Sequence, residues 1–393
     1  MKKLIIAVLA LGLIGMFTAT ASAEYVGGGF EASGSVMAGV GYQHANNALQ
    51  TEFATNDEAP STAGVIGRYI KNPAGLPILA ARQDNLEFFV DSVELDLMKS
   101  FGENIRLRAD LDFGRLASGS QSAFFLEQAY ATANIPLGNG VEILLGRFNV
   151  PIGFESVDPV DNDTISKSIL IRSGIRPTNS TGMKFYYAFS DLVDLHFYIV
   201  NQLTRDNLFN GVAAKVSDIP SFGMRLGFNW GDPGTESTFG LSGFAGTEHY
   251  VSSKSGWTYG GDLDLNWWVT ESFAFGLEGI FRKDSQTPGT AVGSMNTFGG
   301  LVNLKYLFSD VWDGTIKFAM AQQNKATNGT WDFIGTVGIA KQTVYEASLA
   351  GNYAIADGAK LKLEGRFDIV KPSLAGLTTQ YVYGGALAFA YDF

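Results

Sequence analysis

The chain has 393 residues, with 28 lysines and arginines against 39 aspartates and glutamates, a net charge of −11, and no cysteine. This acidic balance argues against a nucleic-acid partner, and the lack of cysteine excludes disulfides, thiolate metal sites and haem attachment through cysteine. Glycine (47 residues) and phenylalanine (29) are abundant and few stretches show helical spacing, which indicates an all-β protein.

The first 23 residues have the three parts of a secretory signal peptide. Lys2 and Lys3 precede an apolar run over residues 4–17, and the small residues 21–23 follow. We expect cleavage before Glu24, because the apolar run is shorter than the ~20 residues that a membrane-spanning helix needs. No later stretch is long and apolar enough for such a helix, so any membrane span would have to be a closed barrel. Residues 24–393 are then one exported domain.

Apolar and charged side chains alternate with a period of two in several segments. In residues 105–113 the odd positions are apolar, whereas the even positions carry Arg106, Arg108, Asp110 and Asp112. Successive side chains of a β-strand point to opposite faces, so this alternation predicts strands with one apolar and one charged face. The same pattern recurs in 222–230, 259–267 and 361–369.

Short turns and longer connections alternate along the chain. The turns are rich in Gly, Asp, Asn, Ser and Pro, which favour tight hairpins, and they lie at 100–104, 136–140, 190–191, 231–236, 269–272, 309–314 and 356–359. Sixteen strands are predicted between them. They lie near 28–43, 87–98, 105–114, 124–135, 141–148, 182–189, 193–201, 222–230, 238–249, 257–268, 273–283, 297–308, 315–325, 343–354, 360–370 and 381–393.

The apolar face of these strands could be buried in a soluble sandwich or exposed to lipid in a membrane barrel. The strands reach the ~9–11 residues that a tilted membrane span requires, which favours the barrel. Aromatic residues cluster at strand ends, where interfacial girdles lie. They are Trp230, Trp267, Trp268, Phe308, Tyr381, Tyr391 and Phe393. We therefore predict a transmembrane antiparallel β-barrel of about sixteen strands with up-and-down order, in the outer membrane.

The charged face of such a barrel would line a water-filled lumen. The predicted acidic wall residues are Glu31, Glu94, Asp96, Asp110, Asp112, Glu142, Asp194, Asp262, Asp264, Glu278, Glu346, Glu364 and Asp368. The predicted basic ones are Arg106, Arg108, Lys184, Arg225, Arg282, Lys305, Lys317, Lys362 and Arg366. Acids outnumber bases, and both signs are interspersed. This predicts a weak preference for cations.

Two segments resemble known outer-membrane proteins. The last strand ends in Tyr391 and Phe393 on its apolar parity and resembles the C-terminal strand that the barrel assembly machinery recognises. Residues 146–182, "GRFNVPIGFESVDPVDNDTISKSILIRSGIRPTNSTG", resemble the porin-2 type family of β-barrel porins and, more distantly, phosphate-selective porins. The resemblance implies an outer-membrane porin that contacts lipid and the assembly machinery, admits small hydrophilic solutes and forms a homotrimer.

The resemblance also implies that a long loop folds into the lumen and narrows it. Residues 151–181 are the candidate for this constriction, and the loop 44–86 is a rival of similar length. An ordinary surface loop is the alternative. The charged residues of the candidate loop are Glu155, Asp158, Asp161, Asp163, Lys167, Arg172 and Arg176.

No pattern indicates catalysis, a metal or a cofactor. The acidic turn 158–163 lacks the spacing of a calcium loop, and the histidines His44, His196 and His249 have no accompanying nucleophile motif. We therefore expect no enzyme activity.

Passive diffusion of small hydrophilic solutes is the leading hypothesis, because sixteen strands leave an aqueous channel. The alternative is a structural barrel, either a sleeve around a partner such as an electron-conduit cytochrome or a surface anchor. Active uptake would need ~22 strands and a plug domain, for which the chain is too short.

Overall fold

The computed structural model describes residues 24–27, 30–45, 84–115, 122–203, 219–250, 254–285, 294–325, 341–372 and 379–393. The predicted signal peptide, residues 1–23, and residues 46–83 of the rival loop lie outside these ranges. The predictions made for those two segments therefore stay predictions.

The described chain is almost entirely β-structure. A short strand, β1 (Glu24–Gly27), precedes sixteen longer ones that match the sixteen predicted strands in order. They are β2 (Phe30–Ala45), β3 (Asp84–Phe101), β4 (Ile105–Arg115), β5 (Ser122–Ile135), β6 (Val141–Asn149), β7 (Asn179–Ala188), β8 (Val193–Val200), β9 (Ser221–Trp230), β10 (Ser237–Tyr250), β11 (Lys254–Thr270), β12 (Phe273–Asp284), β13 (Met295–Ser309), β14 (Trp312–Lys325), β15 (Lys341–Ala356), β16 (Ala359–Pro372) and β17 (Gln380–Asp392).

These sixteen strands close into a single antiparallel barrel. Each of the strands β2 to β16 pairs with the next one in the chain, and β17 pairs with β2. At the seam, the backbone N–H groups of Gly34 and Phe393 each donate to the other's carbonyl at 2.9 Å. Strand β1 pairs with residues 30–32 of β2. The predicted up-and-down barrel of sixteen strands is thus confirmed.

The two faces of the strands differ as predicted. Leu107 and Leu363 are 42% and 60% exposed, whereas Asp110 and Glu364, on the opposite parity of the same strands, are buried. Since the barrel is closed, the buried face is its interior and the exposed apolar face is its outer surface. This arrangement suits a barrel that is surrounded by lipid.

Two β-bulges interrupt the alternation of faces, one on β3 and one on β5. Asp91 is an extra residue on β3, between Val90 and Ser92, and Glu127 is an extra residue on β5. A bulge shifts the alternation by one residue, so both faces change parity there. Arg147 has the same parity as Leu145, which is exposed. Its Nε nevertheless donates a hydrogen bond to the carbonyl oxygen of Glu127 at 2.9 Å, and this bond provides the bulged residue with a partner.

Within the described residues, helical structure is confined to the connection between β6 and β7. A 3-10 turn spans Pro159–Asp161, and one turn of α-helix, α1, spans Ile169–Arg172. Among the described residues, no helix has the length and hydrophobicity that would let it cross a membrane.

Candidate functional site

Residues 150–178, which connect β6 to β7, are called the inner loop below. The predicted segment 151–181 overlaps it, but its last residues 179–181 belong to β7. Most side chains of the inner loop are buried, and their partners lie on strands that are more than one hundred residues away in sequence. The loop therefore packs against the inner wall of the barrel.

The first component of this packing is an apolar cluster. Ile169 and Leu170 of α1, with Ile175, are buried against inward-facing side chains of the wall. Burial of each such side chain stabilises the packed loop by roughly 1.5–3 kcal/mol relative to exposure. The wall side of the cluster is formed by Leu144, Phe148, Tyr198, Val200, Phe244, Ile280, Leu301, Ala319, Ala321, Val344 and Val370.

Sequence reasoning missed these apolar wall residues, since it assigned a polar interior throughout. The available signal was an apolar residue on the charged parity of a strand. Ile280, for example, lies between Glu278 and Arg282 on that parity. Such positions mark where the wall contacts packed chain instead of water.

The second component is a set of buried ion pairs between loop and wall. Arg172 Nη2 lies 2.6 Å from Glu346 Oε2, and Lys317 Nζ lies 3.0 Å from Glu155 Oε1. Glu346 also pairs with Arg366 at 3.1 Å. Burial acts to raise the pKa of Glu155, but Lys317, the Ser168 N–H and Arg176 together hold the pKa of this carboxyl below its ordinary value. Glu155 is therefore a buried carboxylate held by cations.

The start of the loop approaches the wall very closely at Gly153. Its N–H donates to Asp262 Oδ1 at 3.2 Å, and the next N–H, that of Phe154, donates to Glu278 Oε2 at 3.3 Å. Gly153 has φ +74°, and an added Cβ would lie 2.5 Å from Arg176 Nη1 and 2.7 Å from the Glu278 carboxylate. Any other residue would be strained by the positive φ and would displace these two side chains from their ion pair.

Lysine side chains of two wall strands, β16 and β13, hold the middle of the loop. Lys362 Nζ donates to the carbonyl oxygens of Pro159, Val160 and Asn162 at 3.2, 2.8 and 2.6 Å. Lys305 Nζ lies 2.6 Å from Asp163 Oδ1. The loop thus touches the wall along most of its length.

The predicted constriction residues are not equivalent in the structure. Glu155, Lys167, Arg172 and Arg176 are buried, Asp158 and Asp163 are half-buried, and Asp161 is exposed. Glu155, Asp163, Arg172 and Arg176 form ion pairs with residues of the wall.

The predicted wall residues also differ in accessibility. Asp264 and Arg225, for example, form a bidentate ion pair on adjacent parts of the wall. The buried members of the set are Glu94, Asp110, Asp112, Asp262, Asp264, Glu278, Arg282, Lys317, Glu346, Lys362, Glu364, Arg366 and Asp368, with Asp194 at 8% exposure. The half-buried ones are Asp96, Arg108, Glu142, Lys184, Arg225 and Lys305, whereas Glu31 and Arg106 are exposed.

One carboxylate cluster joins the loop to the wall. Carboxylate oxygens of Glu94, Glu127 and Asp158 lie within 4.8 Å of one another. Burial raises the pKa of Asp158, against the effect of Lys167. The structure thus brings Asp158 of the turn 158–163 to the wall, beside the bulge residue Glu127 that sequence reasoning missed.

Part of the wall remains accessible beside the loop. At the ends of β4 to β8 that join the short turns, inward-facing side chains such as Arg106, Glu142 and Lys184 are exposed or half-buried, whereas Asp110 and Phe148, farther along the same strands, are buried. Tyr186 and His196 pack with ring centroids 4.7 Å apart, and Lys184 Nζ lies 5.5 Å from the centre of the Phe148 ring. The interior is therefore asymmetric. The loop covers the wall on β12 to β16 and packs with residues of β6 and β8, and an open polar sector remains at the short-turn ends of β4 to β8.

Solved structures with the same architecture are outer-membrane channels. The channel DcaP of Acinetobacter baumannii superposes with a TM-score of 0.62 at 11% identity, over 95% of this chain and all of that chain. An anion-selective porin from Comamonas acidovorans gives 0.55 at 13% identity, over 93% and 99% of the two chains. Salmonella typhi OmpF, solved with daunomycin, gives 0.53 at 10% identity, over 93% and 98%. At these identities the likeness shows the fold alone.

In sequence, no protein with a curated description matches the chain. A family described as "Putative beta-barrel porin-2, OmpL-like" matches residues 29–391, which is nearly the whole predicted mature chain. The match covers all sixteen strands of the barrel and the inner loop. The chain therefore belongs to this family of β-barrel porins and is a protein of the bacterial outer membrane.

Proposed function

We propose that the chain forms a water-filled channel for the passive diffusion of small hydrophilic solutes and ions. The observation that carries the proposal is the open polar sector at the short-turn ends of β4 to β8, in a barrel whose strand number is large enough to leave an aqueous channel. Solutes would pass between this sector and the inner loop, which acts as the constriction. The buried ion pairs keep the loop in place while the channel is open.

The channel should show a weak preference for cations. Acidic side chains outnumber basic ones on the inner wall, but Glu346 and Glu278 are buried in pairs with Arg172 and Arg176 of the loop. Those pairs contribute little to the field that a passing ion meets. A small net attraction for cations remains.

Purified protein in planar bilayers tests both statements. We expect stepwise conductance and, in a salt gradient, a reversal potential of the sign for weak cation preference. Glu142 and Lys184 are half-buried groups of opposite sign on adjacent strands of the open sector. Glu142→Gln should shift the reversal potential towards anions, and Lys184→Gln should shift it towards cations. Clear anion selectivity of the unaltered protein would contradict the proposed preference.

A sleeve around a partner protein is the competing function. The inner loop already occupies the space along β12 to β16, so a threaded partner would have to displace it. Absence of conductance from correctly folded protein would favour that function over a porin.

We also expect a homotrimer, as in other porins of this size. The mass of the native protein in detergent measures this directly.

A further inference from the structure

An apolar groove of about 460 Å³ lies on the outer surface of the barrel, across β12 to β16. The large side chains around it are exposed on the lipid-facing side of the strands: Phe318 is 52% and Tyr345 40% exposed. The groove therefore faces lipid rather than the lumen. Its lining includes Gly300, Phe318, Met320, Tyr345, Phe367 and Ile369.

The groove exists because two paired positions lack side chains. Gly300 on β13 pairs directly with Gly279 on β12. A Cβ added at Gly279 would meet nothing within 4 Å, and one at Gly300 would meet only a backbone oxygen at 3.8 Å. Neither glycine is needed for close packing inside the barrel. Together they lower the surface between the aromatic side chains of the neighbouring strands.

A polar row borders the groove at one end only. Gln322, Thr343 and Lys371 lie side by side on β14, β15 and β16. The Thr343 hydroxyl lies 3.4 Å from Gln322 Oε1, and Lys371 Nζ lies 5.0 Å from the centre of the Tyr345 ring, which lines the groove. The row immediately below it is apolar, with Met320 next to Tyr345.

This polar row lies at the rim where the longer connections join the strands. Strand β16 ends at Pro372 and continues into the connection 373–378, whereas the opposite rim carries short turns such as 357–358. In outer-membrane barrels the longer loops are extracellular. Lys371 is exposed and so lies at the height of the headgroups in the outer leaflet.

We propose that this surface binds an acylated, phosphate-bearing lipid of the outer leaflet. An acyl chain occupies the groove and the phosphate pairs with Lys371, while the half-buried Gln322 offers a hydrogen bond to the headgroup. The polarity of the surface matches that of such a lipid, since it is apolar along the groove and cationic at its headgroup end. The alternative occupant is a second copy of this chain. Its outer face is apolar, so it would not need a lysine at one end of the groove.

The test measures lipid retention on the full-length folded chain. Protein purified in detergent is titrated with lipid A, with dephosphorylated lipid A and with inorganic phosphate, and bound lipid is counted by native mass spectrometry. We expect binding of lipid A, weaker binding of the dephosphorylated form and none of free phosphate. Lys371→Gln should lower the affinity for lipid A about fivefold, as expected for one lysine at a membrane surface.

Two further variants make the test specific. Lys99→Gln is the matched control, because Lys99 also lies over an outward aromatic ring, 4.4 Å from the Phe30 centroid, but at the rim of the short turns. Gly300→Leu should fill the groove and weaken the binding of both lipid A and its dephosphorylated form. Equal loss in Lys371→Gln and Lys99→Gln would overturn the site. Unchanged lipid binding with a changed oligomeric mass in Gly300→Leu would assign the groove to a subunit interface instead.

Discussion

Lys362 offers the sharpest test of how the inner loop is held. Its side chain is 1% exposed, and its ammonium group donates to three carbonyl oxygens of the loop, those of Pro159, Val160 and Asn162. Lys362→Met keeps the length and the apolar stem of the side chain but removes all three donors. We expect the segment 156–163 to open more often in this variant while the barrel stays closed.

The magnitude follows from these hydrogen bonds. A hydrogen bond to a charged group contributes about 1.5–3 kcal/mol, and the three bonds share one ammonium group, so their contributions do not add fully. We therefore expect the substitution to lower the free energy of local opening by about 3 kcal/mol. Since 1.4 kcal/mol is a factor of ten, the open population should rise on the order of a hundredfold. The ion pairs of Glu155 and Arg172 remain and hold the rest of the loop.

Hydrogen exchange measured by mass spectrometry reports this opening. The amides of Asp161 and Asn162 donate to Asp158 and Pro159 within the loop, so they exchange only when the segment opens. Lys360→Met is the matched control, because Lys360 lies two residues earlier on the same face and is exposed. Exchange of residues 156–163 that is as slow in Lys362→Met as in the control would refute the role assigned to Lys362.

Two other predictions concern the ends of the loop and of the chain. Gly153 and Gly174 both have positive φ, but only at Gly153 would a Cβ meet neighbouring atoms. Gly153→Ala should therefore accelerate exchange of the inner loop more than Gly174→Ala, and equal effects would show that backbone strain alone acts. Deletion of Phe393, which closes the seam with β2, should leave export intact and reduce the heat-modifiable barrel in the outer membrane. A normal amount of that barrel in the deletion strain would contradict the proposed assembly signal.

The period of two predicted the strands well because it depends only on neighbouring residues. In 105–113 the alternation assigned Leu107 outward and Asp110 inward, and their exposures agree. The prediction was incomplete at the bulges of Asp91 and Glu127, since an extra residue is defined by the partner strand and leaves no local pattern. The strand count was unaffected, because a bulge changes the parity of a strand without ending it.

The candidate site was less predictable. The charged residues of the loop were identified, but Arg172 and Asp161 carry the same kind of sequence signal and have opposite environments, buried and exposed. A charged side chain of the loop is buried where a wall residue of the other sign faces it, as Glu346 faces Arg172. No spacing rule connects positions that are 174 residues apart.

The sequence by itself determined the strand number, the up-and-down order and, in strands with an unbroken alternation such as β4, which face is apolar. These properties follow from side-chain alternation and turn chemistry, which act over a few residues. Only the tertiary structure decided that residues 150–178 turn into the barrel, cover the wall on β12 to β16 and leave the short-turn ends of β4 to β8 open. That path depends on close packing and charge pairing between distant segments, and these segments become neighbours only when the barrel closes.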